Sequence, residues 1–194
     1  MQHLTRVMVL GALGVGMVGL SAVRADDARA PTNLQVPRGA GVTAATLRSS
    51  GRPTEVFPVH VYLSNIPDLG AYQIRLKAEG GTRGSLSVRD LTIERSRKDY
   101  VFGTEEIVDV VNRTDAILGA VKARGGTAVG KPRYAGTFNF EASADAKGVF
   151  SIVIEKGPAA TLLTNSVAQT LPFELGQIAT ITVSGAPKRP VSGR

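Results

Sequence analysis

The chain has 194 residues, 43% of them apolar, a net charge of +7 and no cysteine. That removes disulfide scaffolds, zinc–thiolate sites and thiol nucleophiles together, so any folded part must be held by its core. The basic excess is scattered among acids rather than clustered, which excludes a nucleic-acid footprint.

Residues 1–25 read as a signal peptide. Arg6 gives a basic start, Val7–Leu20 is apolar or Gly throughout, and Val23-Arg24-Ala25 offers small residues at the two positions a signal peptidase reads. The apolar run falls short of the ~20 residues of a membrane span, and no later stretch is long and apolar enough to be a second one. The expected localisation is therefore secreted, periplasmic or extracellular, with no membrane span after cleavage. Residues 26–53 shift to Ala, Gly, Ser, Thr, Pro and Arg. Such a composition buries too little apolar surface to offset its ordering entropy, so a flexible lead is expected, with a short strand around Leu34-Gln35-Val36. One folded domain is expected over 54–185, followed by a basic tail over 186–194.

The organising stretch runs from Glu55 to Ala78. Phe57, Val59, Val61 and Leu63 alternate with Pro58, His60, Tyr62 and Ser64. Tyr72, Ile74, Leu76 and Ala78 then alternate with Gln73, Arg75 and Lys77. A period of two means strands with one buried face each, and the turn formers of Asn65–Gly70 make them a hairpin. In Ser85–Ile93 the alternation slips between Val88 and Leu91, which points to a bulge or a short loop. The Arg95-Ser96-Arg97-Lys98 cluster reads as a solvated loop. Residues 104–124 fit a capped helix or two short strands with a turn at Asn112–Asp115, and the turn-like interruption favours the strands. Phe138, Phe140 and Ala142, then Phe150, Ile152 and Ile154, predict a second hairpin across the turn at 143–148. Phe173–Val183 closes the series, rich in β-branched residues. The fold class is all-β: a single jelly-roll-like β-sandwich of about eight to nine antiparallel strands.

The order of these pieces resembles the cohesin-like, carbohydrate-binding-module-like sandwiches. The residues that carry the resemblance are Val59-His60-Val61-Tyr62-Leu63, Gly70-Ala71-Tyr72-Gln73-Ile74-Arg75-Leu76, Tyr134-Ala135-Gly136-Thr137-Phe138-Asn139-Phe140 and Ile178-Ala179-Thr180-Ile181-Thr182-Val183. They span most of 55–184. Arg75-Leu76-Lys77-Ala78-Glu79 lacks the family's YDP-like ending, and 95–133 has no counterpart. The resemblance implies a non-catalytic sandwich that binds dockerin modules or polysaccharide.

The residues themselves supply little chemistry. After signal removal His60 is the one histidine, too few for a His-based metal site and unaccompanied for a triad. The acidic pairs Asp26-Asp27 and Glu105-Glu106 sit in loops, without the spacing across a cleft that glycoside hydrolysis needs. Residues 143–148 hold one acid and fail as a calcium loop. Asn112-Arg113-Thr114 matches a glycosylation sequon by pattern. No cofactor is expected. The expected function is a secreted binding module for a protein, dockerin-like or part of a cell-surface assembly, with a polysaccharide ligand as the alternative. Sugar faces stack on exposed rings, and a chain with no Trp and few aromatics favours the protein. The candidate binding surface is Tyr62, Gln73, Arg75 and Lys77, read as outward residues of the two opening strands.

Overall fold

The structure, a computed structural model, describes residues 34–46 and 48–184; the expected signal peptide and basic tail lie outside them. In chain order the strands are β1 (Gly41–Thr46), β2 (Ser50–Gly51), β3 (Val56–Ser64), β4 (Ile66–Leu69), β5 (Ala71–Gly80), β6 (Leu86–Thr92) and β7 (Ile107–Asn112). They continue with β8 (Ile117–Lys122), β9 (Thr127–Val129), β10 (Arg133–Ala142), β11 (Gly148–Ile154), β12 (Leu162–Thr164), β13 (Glu174–Leu175) and β14 (Thr180–Val183). No helix occurs among the described residues. The fold class is as expected, an all-β sandwich. Eight strands have six residues or more, the others are short, and two pairings, β1 with β13 and β14 with β2, are parallel.

Two sheets face each other. One has the order β13-β1-β3-β10-β6, and the other β2-β14-β11-β5-β8-β7 with β12 alongside β5. A small β4–β9 pair caps one end. Both inner faces fill with the apolar positions of the alternating runs: Phe57, Val59, Val61 and Leu63 from β3 and Phe138 and Phe140 from β10 meet Ile74 from β5 and Ile152 from β11, all with no exposed surface. Interdigitation of two apolar sheet faces is what a sandwich core consists of.

Both expected hairpins are corrected. β3 pairs with β1 and β10 in the five-stranded sheet, while β5 pairs with β11, β8 and β12 in the other. The chain between them crosses the sandwich through β4. Likewise β10 pairs with β3 and β6, and β11 with β14 and β5, so the turn after Ala142 is a second crossing. Alternation marks which face of a strand is buried, but both sheets bury a face in the same layer, so the pattern fits either.

The flexible lead is corrected over its described part. β1 is an inner strand of the five-stranded sheet, paired with β3 from Gly41↔Ser64 to Thr46↔Val59, and Val42 and Ala44 are fully buried. Its side chains are small because its outer face is closed by neighbouring backbone: a Cβ on Gly176 would overlap Thr43 Oγ1 and stand 2.7 Å from the Gln35 carbonyl oxygen. No strand forms at Leu34–Val36; Gln35 accepts a hydrogen bond from the Gln177 amide at 2.9 Å instead.

The single closing strand expected over Phe173–Val183 is corrected: it breaks into β13 in the five-stranded sheet and β14 in the seven-stranded one, so the chain crosses the sandwich there too. Two other local readings hold. Residues 107–122 form the β7–β8 hairpin, with Asp115 N donating to Asn112 Oδ1 in its turn. The slip near Val88 is a bulge: β10 pairs Asn139 with Asp90 and then Phe140 with Val88, leaving Arg89 unopposed.

Candidate docking surface

Residues directly opposite in a ladder share a sheet face, so register assigns each side chain to the core or to one of two outer faces. These outer faces differ sharply. That of the five-stranded sheet carries Thr43, His60, Tyr62, Ser64, Tyr134 and Thr137, read from the pairs Thr43↔Tyr62, Tyr134↔Tyr62 and Thr137↔His60. All six are buried, with exposures from 0% to 7%. The expected outward position of Tyr62 is therefore corrected: the residue is 1% exposed.

The cover comes from the segment read as a solvated loop. Residues 97–101 run beside the start of β10, with Tyr134 N donating to the Asp99 carbonyl and Val101 N donating to the Tyr134 carbonyl, both at 2.8 Å. This places Arg97 with its guanidinium 4.2 Å from the Tyr134 ring centroid and its two nitrogens 2.9 and 3.1 Å from the Asp99 carboxylate. A buried guanidinium is tolerable in this position because the carboxylate and the ring face both stabilise the charge. Underneath, Thr137 Oγ1 bonds both His60 Nδ1 and the Tyr134 hydroxyl at 2.8 Å. Burial pushes the Tyr62 phenol up to about 12 against the opposing pull of the Arg97 charge. Tyr100, also desolvated, is pushed up to about 12 as well.

The outer face of the seven-stranded sheet is open. It carries Gln73, Arg75 and Lys77, so the structure brings three of the four expected surface residues together and sends Tyr62 elsewhere. Lys77 is exposed and the other two are half-buried. Gln73 lies between Gly119 on β8 and Leu162 on β12, and its amide nitrogen donates to the Ala160 carbonyl at 2.9 Å. Beyond Gly119 stands Val110, while Val121 stands between Ala71 and Val108. Val108, Val110 and Val121 are 64%, 40% and 44% exposed. Val110 and Val121, together with Ala71, Leu162 and Thr164, line a shallow groove of about 180 Å³ with Gln73 in it. Gly119 keeps that groove open, since a Cβ there would overlap the Tyr72 carbonyl oxygen and stand 3.1 Å from Gln73 Cα.

One end of the groove is ionic. Glu155 bridges Arg75 at 3.1 Å and Lys77 at 3.0 Å, and Lys77 also reaches Glu79 at 2.9 Å. Hydrogen bonds that Lys77 Nζ donates to Glu79 and then to Glu155 raise the pKa of its ammonium, so it stays charged. The chemistry of the face is thus an apolar strip beside a fixed row of alternating charges, an arrangement that suits recognition. The valines were missed in the sequence because Ile107–Val111 looks like one apolar run. Only Ile107 of it is buried, and the alternation Val108, Val110 was the available signal.

None of the aromatic rings reaches this face. The chain has four Tyr, six Phe and no Trp; nine of these ten residues are buried, and the half-buried Phe173 lies under Lys156 Nζ at 5.4 Å.

No family model and no curated protein matches the chain. Solved structures do. A type I cohesin from Clostridium thermocellum, solved in a cohesin–dockerin complex, superposes with a TM-score of 0.51 at 6% identity, covering 81% of this chain and 100% of that one. The CaCohA2 cohesin of Clostridium acetobutylicum gives 0.47 at 14% identity over 75% of this chain and 92% of its own. A non-cellulosomal cohesin of the archaeon Archaeoglobus fulgidus gives 0.47 at 10% identity over 74% and 91%. By fold, the chain is a cohesin-like β-sandwich.

Proposed function

We propose that the chain is an exported, non-catalytic docking module that holds a protein ligand on the outer face of its seven-stranded sheet. The observation that carries this reading is the contrast between the two outer faces: one is closed over by Arg97 and its neighbours, the other leaves Val108, Val110 and Val121 exposed around Gln73. Exposed apolar strips rimmed by polar residues mark interaction surfaces, and burying them is what drives association. The Arg75–Glu155–Lys77–Glu79 row supplies the polar rim that fixes register on a partner. The cohesin-like fold supports a dockerin-like ligand. No observation favours polysaccharide, since sugar stacking needs an exposed ring and every ring of this chain is buried or half-buried.

The test uses the immobilised chain lacking residues 1–25, exposed to the producing cell's exported fraction and, in parallel, to insoluble polysaccharides. A protein should be retained by the wild type and lost on Val121→Asp, which puts a carboxylate into the groove. A dockerin-like ligand, with its own calcium loops, should also be released by a chelator while this domain stays folded. Retention on polysaccharide alone, or protein retention indifferent to Val121→Asp, contradicts the proposal.

A further inference from the structure

The two sheets end in four edge strands, and three of them are blunted. β13 and β2 are two residues long, and β6 bends at the Arg89 bulge and carries Arg89 and Asp90. Short length, bulges and charge are the usual defences against pairing with another chain. β7 is neither short nor bulged. Its six residues pair with β8 position by position with no shift, and among the described residues none of its backbone groups bonds outside that ladder. Val108, Val110 and Val111 are 64%, 40% and 40% exposed. Its one charged residue, Asp109, is held by Arg95 at 2.7 Å.

We infer that the β7 edge is a strand-addition site whose occupant is β7 of a second copy of this chain, running antiparallel about a two-fold axis at Val110. This goes beyond the docking role of the outer face and does not rest on it. Charge selects the occupant and the direction. Glu105 and Glu106 precede β7 and Arg113 follows it, all exposed. Within the chain Glu105 meets Lys122 at 3.2 Å and Arg113 meets Asp90 at 3.1 Å, pairs whose Glu105 and Arg113 ends stay exposed so that a partner's charges can share them. Antiparallel self-pairing therefore sets the acidic end of each copy beside the basic end of the other, whereas parallel pairing sets like against like. Geometry selects the register. A one-residue slip would put each inner residue opposite an outer one. An axis at Asp109 would set two carboxylates opposite each other. An axis at Val110 pairs Val108 with Asn112 and Asp109 with Val111, and puts Ile107 opposite Arg113 with Glu106 next to it. The two outer faces then join into one, with Val108 and Val110 of both copies along the seam.

The absence of native cysteine makes the test specific, because a single introduced thiol can pair only with its own copy. On the axis the two Val110 Cα atoms stand about 4.5–5.5 Å apart, within disulfide range. The purified chain should sediment as a dimer, and Val110→Cys should oxidise to a covalent dimer well ahead of Val149→Cys, an exposed outer-face control on β11. Glu106→Arg and Arg113→Glu should each weaken the dimer about ten-fold or more, and the double reversal should restore it. A wild type that sediments as a monomer at every soluble concentration, or Val110→Cys that crosslinks no faster than Val149→Cys, overturns the inference. Neither readout involves the docking ligand.

Discussion

Val42→Ala asks whether β1 belongs to the core or to a loose lead. Val42 has no exposed surface, pairs with Leu63 and joins the central apolar cluster. The substitution removes two methyl groups, worth about 0.8 kcal/mol each in transfer free energy. A residual void of roughly 20–40 Å³ adds about 0.5–1 kcal/mol at ~24 cal/mol per Å³. The expected loss is about 2–2.5 kcal/mol, which lowers the melting temperature by roughly 5–8 °C in a domain of this size. Urea titration followed by circular dichroism should show the midpoint falling with the slope unchanged. Val36→Ala is the internal control, since Val36 is 37% exposed and outside any strand; its effect should stay within about 0.5 kcal/mol. Equal, near-zero effects at both positions would refute the placement of β1.

Two further outcomes follow from the packing. Gly136, beside the bulge of β10, faces Leu118 across the sandwich, and a Cβ there would come within 2.7 Å of Leu118 Cδ1. Gly136→Ala should cost about 1–3 kcal/mol by overpacking, and Leu118→Ala in the same chain should recover part of that in a double-mutant cycle. Tyr62 and Tyr100 are pushed up to about 12 from an unfolded value near 10. Their folded pKa values are raised, so their contribution is complete below pH ~10 and is lost as pH rises toward ~12. Phenolate absorbance should appear together with loss of the fold in that window, rather than as a gradual titration near pH 10 of an intact protein.

The sequence carried face assignments better than partners. Phe57, Val59, Val61, Leu63, Ile74, Phe138, Phe140 and Ile152 are buried as their alternation predicts. Which sheet each strand enters was not legible, because one hydrophobic layer serves both sheets and a six-residue link such as 65–70 can turn back or cross over. β1 escaped because a strand of Gly, Ala and Thr with the single Val42 has almost no hydrophobic contrast. Its burial is set by backbone packed over it at Gly176, a contact remote in the chain. Tyr62 failed for the opposite reason. Alternation places it on the outer face correctly, but whether an outer face meets water depends on what lies above it. There it is the 97–101 segment, whose charges suggested solvent and whose Arg97 instead caps a tyrosine ring. Gln73, Arg75 and Lys77 lie where alternation put them, on a face that no segment among the described residues closes over as 97–101 closes the other.

The central claim is that a protein ligand occupies the groove around Gln73. Its most direct test is the affinity of the captured ligand for wild type, Val121→Asp and Ser87→Asp by calorimetry, with the fold of each variant checked by urea titration. Ser87 is exposed on the opposite outer face, against Glu141. Val121→Asp should weaken binding about thirty-fold or more, the value of a ~2 kcal/mol hot spot, while Ser87→Asp leaves it unchanged. Equal affinity for all three proteins, or a loss confined to Ser87→Asp, would place the ligand elsewhere and contradict the account.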